Sequence, residues 1–138
     1  MPMIKVIAGE KGTGKTAQLV DQINEQASNE QSNIVCIEKG NRLDRLLKYK
    51  IRLIDISEYP TSGFNELLSF IAGISAKDYD LTHVYIDSIF KVSQSDDLGD
   101  LELFLDKLDK FLAGTPIEVS IILSTELKSL PDGVRKYC

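Results

Sequence analysis

Short apolar runs alternate along the chain with segments in which apolar residues recur every three or four positions. The runs are long enough for buried β-strands, and the periodic segments are typical of helices with one buried face. Five strands are predicted in this way, over residues 3–8, 33–37, 51–56, 83–89 and 119–124. The alternation predicts an α/β fold, with a doubly wound, mostly parallel five-stranded sheet and flanking helices. A chain of 138 residues fits a single domain, 1–138.

Four helices are predicted from the spacing of apolar residues, over 15–27, 41–49, 63–79 and 100–114. In the second of them, Leu43, Leu46 and Leu47 are expected to face the core. The fourth is strongly amphipathic, and its expected inward residues are Leu101, Phe104, Leu105, Leu108, Phe111 and Leu112. The third strand mixes apolar and polar residues, which favours an edge position because interior parallel strands are more uniformly apolar. After the fifth strand we expect a short polar tail.

The loop after the first strand, GEKGTGKT at 9–16, fits the pattern G-x-x-x-x-G-K-[ST] at every position. Its glycines let the backbone approach phosphate oxygens closely and aim successive N–H groups at them. The helix that follows adds the positive end of its dipole. The loop is therefore predicted to cradle the phosphates of a nucleotide. The predicted nucleotide-binding residues in it are Gly9, Glu10, Lys11, Gly12, Thr13, Gly14, Lys15 and Thr16.

Two residues of this loop have further predicted roles. Lys15 is expected to place its charge on the β- and γ-phosphates, and it is also counted as a catalytic residue. The hydroxyl of Thr16 is expected to ligate Mg²⁺. The fourth apolar run, VYIDS, ends in Asp87 and has the form of a Walker B segment, whose carboxylate holds Mg²⁺ through water. The predicted metal site is therefore Thr16 and Asp87.

The order of these segments resembles the core of the RecA family of P-loop nucleotide hydrolases, from about residue 5 to residue 125. The stretch NIVCIEKGNRLD (33–44) resembles the second core strand of RecA, and IDSI (86–89) resembles its Walker B strand. In that family the catalytic glutamate ends the second core strand. The resemblance implies that Glu38 is the general base that orients or activates the attacking water. It also accounts for Ser88, at a position where many other ATPases place a glutamate.

The same resemblance implies a role for the end of the fifth strand. In RecA-type folds the corresponding strand lies between the P-loop strand and the Walker B strand, and a polar residue at its tip senses the γ-phosphate. Ser124 or Thr125 would take this role, and Thr125 is counted among the nucleotide-binding residues. Glu126 is a weaker rival to Glu38 for the catalytic carboxylate. Because the chain ends at Cys138, the expected RecA-like core is a minimal one.

Four arginines are considered as fingers that could act on a neighbouring subunit's nucleotide: Arg42, Arg45, Arg52 and Arg135. Their spacing does not select one, although Arg135 is expected to be the most movable. The short chain also resembles small bacterial P-loop proteins that carry a PilT-like, twitching-motility label. True pilus-retraction ATPases have boxes rich in histidine and acidic residues. His83 is the single histidine of this sequence, so this likeness is interpreted as one of the P-loop alone.

Composition narrows the classes of function. A net charge of −5 argues against a broad nucleic-acid-binding face. No apolar run approaches the roughly 18 residues of a membrane helix, and no signal peptide is recognisable, so a cytoplasmic location is expected. Cys36 lies in an apolar run and is expected in the core, and its distance from Cys138 does not suggest a zinc site.

The function predicted from these features is binding of ATP, or another nucleoside triphosphate, together with Mg²⁺. Slow hydrolysis by Glu38 is one extension of it, and the sequence leaves open whether the protein is an enzyme. One alternative is a non-catalytic switch or adaptor whose nucleotide controls a homo-oligomer or a protein partner. Another is a small-molecule kinase. The absence of an N/T-K-x-D motif argues against a guanine-specific GTPase, and the base is otherwise undetermined.

Overall fold

Five strands form a single parallel sheet in the computed structural model, which describes residues 3–138. They are β1 (Ile4–Gly9), β2 (Ile34–Glu38), β3 (Arg52–Asp55), β4 (His83–Ile86) and β5 (Glu118–Ser124). Their order across the sheet is β1-β5-β4-β2-β3, and every neighbouring pair is parallel. The expected α/β fold is confirmed. So is the edge position of the third strand, and β5 lies between β1 and β4 as the resemblance implied.

Helices cover both faces of this sheet. They are α1 (Lys15–Ala27), α2 (Gly63–Lys77), α3 (Ile89–Ser93), α4 (Leu98–Leu112) and α5 (Asp132–Arg135). Successive side chains of a strand point to opposite faces. Cys36 therefore packs with Leu19 of α1, whereas Ile37 packs in a second cluster with Leu67 of α2 and Leu105 of α4. The two apolar layers hold helices on both sides, and the expected burial of Cys36 is confirmed.

The prediction of a helix over 41–49 is wrong, because this segment forms a series of turns. Local turn bonds, such as that from the Leu46 N–H to the Leu43 carbonyl (2.9 Å), and hydrogen bonds from outside the segment satisfy its backbone in place of a helical ladder. The Asn24 side chain of α1 donates to the carbonyl of Leu46 (2.9 Å) and accepts from the N–H of Lys48 (3.0 Å). Leu43 is buried as expected and Leu47 packs partly against the core, but Leu46 is 54% exposed.

Three further expectations need correction. Phe111 of α4 is 36% exposed, because the buried stripe of that helix passes through Leu108 and Leu112 instead. The fourth strand ends at Ile86, and the short helix α3 follows. The tail after β5 is more than polar: it holds a 3₁₀ turn (Leu127–Ser129) and α5, with Leu130 and Val134 in the core.

No helix within residues 3–138 has both the length and the apolar character that crossing a membrane requires.

Candidate functional site

The glycine-rich loop (residues 9–16) connects the carboxyl end of β1 to the first turn of α1. Gly12 and Gly14 have φ angles of 86° and 80°, a left-handed conformation that residues with a Cβ rarely adopt. At Gly9, a Cβ would lie 3.2 Å from the Thr13 hydroxyl oxygen, so a larger residue would crowd the loop. The glycines at these three positions thus allow a tight wrap of the chain ahead of the helix.

Lys15 is held inside this loop. Its side chain is nearly buried, with 8% of the residue exposed. The Nζ atom donates to the Glu10 carbonyl (2.6 Å) and to the Thr13 hydroxyl (3.3 Å). Within the described chain, no side chain caps the N-terminus of α1 at Gly14, so its first N–H groups remain available to a ligand. The loop thus combines an ammonium group with unpaired backbone donors.

A cavity of about 400 Å³, the carboxyl-end cavity, opens in front of the loop where the parallel strands end. Its wall includes Lys15, Thr16, Ser88, Phe90, Ile122 and Ser124. Four cationic side chains line it, those of Lys11, Lys15, Arg42 and Lys91, and within residues 3–138 no carboxylate does. In a protein of net charge −5, such a cluster makes a local positive field that suits an anion.

Asp87 lies just after β4 and is almost fully buried, with 1% exposure. Its Oδ1 accepts from the Thr16 hydroxyl at 3.4 Å, although 71 residues separate the two in sequence. Its Oδ2 forms an ion pair with Nη2 of Arg42 at 3.3 Å. The predicted metal ligands are therefore brought together. A hydroxyl and a carboxylate are hard oxygen donors of the kind that Mg²⁺ prefers, and Mg²⁺ keeps several waters besides such ligands.

Glu38 is the last residue of β2, and none of it is exposed. Its Oε2 accepts from the N–H of Leu43 at 3.0 Å, whereas its Oε1 is buried and has no hydrogen-bond partner among residues 3–138. Burial raises the pKa of Glu38, and the Leu43 hydrogen bond and the charge of Arg42 oppose that rise. Such an unsatisfied oxygen costs free energy unless a water or a ligand supplies the missing donor.

The two buried carboxylates lie behind the carboxyl-end cavity and not on its wall. Glu38 and Asp87 are neighbours at the ends of adjacent strands. β2 pairs with β4, and the N–H of Asp87 donates to the carbonyl of Ile37 (3.0 Å). Thr16 and Arg42 do line the cavity, and both contact Asp87. These two side chains therefore lie between Asp87 and the open space.

The two candidate γ-phosphate sensors at the end of β5 differ in whether they line the cavity. Ser124 lies on the cavity wall and is exposed, whereas Thr125 is not among the lining residues. The N–H of Thr125 donates to the carbonyl of Gly9 at 3.0 Å, which ties the strand tip to the glycine-rich loop. Glu126 forms an exposed ion pair with Lys128 at 3.5 Å and lies outside the cavity wall.

Other predicted positions differ in how they meet the cavity. Lys11, Gly12, Gly14, Lys15 and Thr16 line it, while Gly9, Glu10 and Thr13 shape the loop from outside the wall. The expectation that Arg135 is the most movable arginine is wrong. Its guanidinium donates to the carbonyls of Leu127, Lys128 and Leu130, which fastens the turn before α5 to the helix.

Several wall residues could not be assigned to the site from the sequence. Ser88, Phe90 and Lys91 reach the cavity because the chain turns sharply after Asp87: Ser88 adopts a left-handed φ of 59° and α3 then begins. The five residues of α3 are too few to show a helical period, so their pattern merges with the preceding strand. The one available signal was Lys91, a charge just after an apolar run.

No protein-family model matches this chain, and no curated protein matches it either.

Proposed function

We propose that this protein binds a nucleoside triphosphate with Mg²⁺, with ATP as the first candidate, and that it is a minimal P-loop protein of the RecA type. The observation that carries the proposal is the carboxyl-end cavity. It combines four cations, a glycine-rich loop and an uncapped helix N-terminus at the carboxyl edge of a parallel sheet. Ligands of open α/β sheets bind at this edge, and polyphosphates bind where backbone N–H groups converge.

The loop residues would bind the phosphates by exchanging partners. Lys15 would release the Glu10 carbonyl for phosphate oxygens, which offer a stronger, charge-assisted hydrogen bond. The left-handed angles at Gly12 and Gly14 let the loop wrap tightly, so that its backbone N–H groups could reach the same oxygens. The dipole of α1 favours the negative charge from behind.

Thr16 and Asp87 would hold the metal ion, which when bound neutralises developing charge on the phosphates. The fit rests on the Thr16 hydroxyl and the Asp87 carboxylate, 3.4 Å apart at the cavity's inner edge. A divalent cation also supplies the positive charge that a buried carboxylate needs. A cytoplasmic location, where ATP and Mg²⁺ are available, is part of the proposal.

We further propose slow hydrolysis with Glu38 as the base. Its free Oε1 can accept a hydrogen bond from water, and its raised pKa brings it closer to the range in which a general base works best near neutral pH. Turnover would be slow because Glu38 is fully buried and does not line the cavity. A water would reach Glu38 only after the side chains around it shift.

The same shielding supports a second candidate, a nucleotide-dependent switch without turnover. Glu38 holds the N–H of Leu43, so a change at Glu38 would pass into the turns of 41–50. Such a switch would change a homo-oligomer or a protein partner. Size-exclusion chromatography with ATP, ADP and no nucleotide separates the two candidates when combined with a turnover assay. Turnover without a size change supports the hydrolase, and a size change without turnover supports the switch.

The test of binding itself is a titration series by calorimetry with ATP, ADP, AMP and adenosine, with and without Mg²⁺, followed by GTP. The affinity should rise with each phosphate and should fall for the triphosphate when Mg²⁺ is removed. By linkage, ATP at about 1,000 times its dissociation constant should add about 4 kcal/mol of apparent stability. Equal affinity for adenosine and ATP, or no binding of either, would contradict the proposal.

A further inference from the structure

Arg42 is the side chain that joins the open cavity to the buried acids. It lines the carboxyl-end cavity, and its Nη2 lies 3.3 Å from Oδ2 of Asp87. The other cations on the cavity wall are Lys11, Lys15 and Lys91. Within the described chain, none of these three lysines forms an ion pair with Asp87. The charge of this buried carboxylate is therefore balanced by a residue that also faces the proposed ligand.

The backbone on either side of Arg42 is fixed. On one side, the N–H of Gly40 donates to Oδ1 of Asp55 at 2.8 Å. Hydrogen bonds from the Ser57 hydroxyl and from Gly40 also lower the pKa of Asp55, which keeps it an acceptor. On the other side, Leu43 is buried and its N–H is held by Glu38. The guanidinium can thus move while the chain that carries it stays in place.

The two partners of the ion pair differ in their exposure. The Arg42 side chain is 58% exposed, whereas that of Asp87 is fully buried. The arginine keeps most of its contact with water and loses little on leaving the pair. The aspartate has no such freedom, because a buried carboxylate without a counter-charge is strongly unfavourable. Arg42 can therefore leave only when another cation replaces it at Asp87.

We propose that Arg42 senses the terminal phosphate of a bound triphosphate in cis, by exchanging the carboxylate of Asp87 for that phosphate. This inference rests on the proposed function. A divalent cation held by Thr16 and Asp87 would supply the positive charge that Asp87 needs, so the guanidinium would be free to leave. The terminal phosphate, on the same cavity, attracts it. The planar fork of an arginine suits phosphate oxygens better than the point charge of a lysine.

The exchange distinguishes a triphosphate from a diphosphate. A diphosphate lacks the terminal group, so Arg42 gains no new partner on it, whether or not a metal ion has replaced the guanidinium at Asp87. The turns of 41–50 carry both Arg42 and the Leu43 N–H that Glu38 holds. Arg42 is therefore a specificity-determining residue placed next to the proposed base, because the residue that follows it, Leu43, donates its N–H to Glu38.

The experiment compares Arg42→Ala with Arg45→Ala, a matched control on the same exposed turn segment. Calorimetry gives the affinities for Mg-ATP and Mg-ADP. Arg42→Ala should lower the Mg-ATP affinity about tenfold, since a charge-assisted hydrogen bond is lost, and should not lower the Mg-ADP affinity, because the diphosphate makes no such bond. Arg45→Ala should match the wild type for both ligands. An unchanged ratio of the two affinities in Arg42→Ala would overturn the inference.

A second measurement uses Mn²⁺ without nucleotide, followed by electron paramagnetic resonance. Arg42→Ala should bind Mn²⁺ more tightly than the wild type and Arg45→Ala, because the competing guanidinium is gone; weaker or equal binding counts against the exchange. If Arg42→Ala does not fold, Arg42→Gln keeps a hydrogen-bond donor for Asp87 without the charge and takes its place. Failure of the proposed function looks different: the wild type itself would bind neither nucleotide.

Discussion

The two ends of the sheet carry cavities of opposite character. The carboxyl-end cavity measures about 400 Å³. A second one, the amino-end cavity, measures about 830 Å³ and lies where β1, β4 and β5 begin, beside the later turns of α1. Size alone would select the amino-end cavity as the binding site. Its chemistry does not, because acidic and basic groups are mixed on its wall.

Among residues 3–138, glutamates and lysines line the amino-end cavity in equal number. Glu25 and Glu118 line it together with Lys5 and Lys136, and Glu118 pairs with His83 at 3.0 Å. At the other end, counting only the described residues 3–138, the wall carries four cationic side chains and no carboxylate, and no side chain caps the N–H groups at the start of α1. The contrast follows from topology: in parallel α/β units the helix N-termini, with their positive dipole ends, follow the carboxyl ends of the strands.

The largest expected effect is on ATP turnover, and it compares one glutamate from each end of the sheet. Glu38→Gln should lower ATP turnover about 100-fold or more, because a positioned base is lost, while nucleotide affinity is retained. Glu25→Gln, on the wall of the amino-end cavity, should leave turnover unchanged. Steady-state phosphate release measures both. Equal turnover in Glu38→Gln and the wild type would remove Glu38 from the mechanism and favour the switch.

The second comparison uses the lysines. Lys15→Ala should weaken ATP binding about 100-fold, since a nearly buried ammonium would be lost from the phosphate contacts. Lys136→Ala changes a lysine of the amino-end cavity and should bind ATP like the wild type. Calorimetry of both variants gives the answer. Should Lys136→Ala lose affinity and Lys15→Ala keep it, the nucleotide site would belong at the amino end.

A third comparison concerns the metal ion. Asp87→Asn should raise the Mg²⁺ concentration required for half-maximal ATP binding about tenfold, because an amide is a weaker ligand than a carboxylate. The control is Asp109→Asn, since Asp109 contacts the Tyr137 hydroxyl (3.2 Å) beside the amino-end cavity. A Mg²⁺ titration at fixed ATP distinguishes the two. An unchanged Mg²⁺ requirement in Asp87→Asn would place the metal elsewhere.

The smallest expected effect is on stability. Because burial raises the pKa of Glu38 in the folded chain, the folded state holds its proton more firmly than the unfolded state. The resulting stabilisation is present below the ordinary value of 4.5 and is lost as the pH rises through the folded pKa. The Glu38→Gln variant has no carboxyl group here to lose its proton. The difference between its urea midpoint and that of the wild type should therefore increase as the pH rises above 4.5. A difference between the two midpoints that does not change with pH would contradict this expectation.

Secondary structure was predictable wherever a segment was long and periodic. The bounds of α1 match the prediction, Lys15–Ala27, because an apolar stripe and a glycine-rich start mark both its burial and its beginning. The prediction of a helix over 41–49 was wrong for a physical reason. The leucine spacing of the segment fits a helix, but Asn24 and Glu38 satisfy part of its backbone from outside. The predicted burial of Phe111 was wrong because the elements that pack nearby decide whether a residue at the margin of an apolar stripe is buried.

By itself, the sequence determined the parallel α/β fold and the loop GEKGTGKT, because both depend on residues close together in the chain. It also indicated Glu38 and Asp87 as acidic strand ends. Only the tertiary structure decided which groups surround these two acids. Within the part of the chain that the structure describes, burial left one oxygen of Glu38 without a partner, and folding brought Arg42 to Asp87 across 45 residues. Desolvation and ion pairing depend on what packs around a group, and no local pattern contains that information.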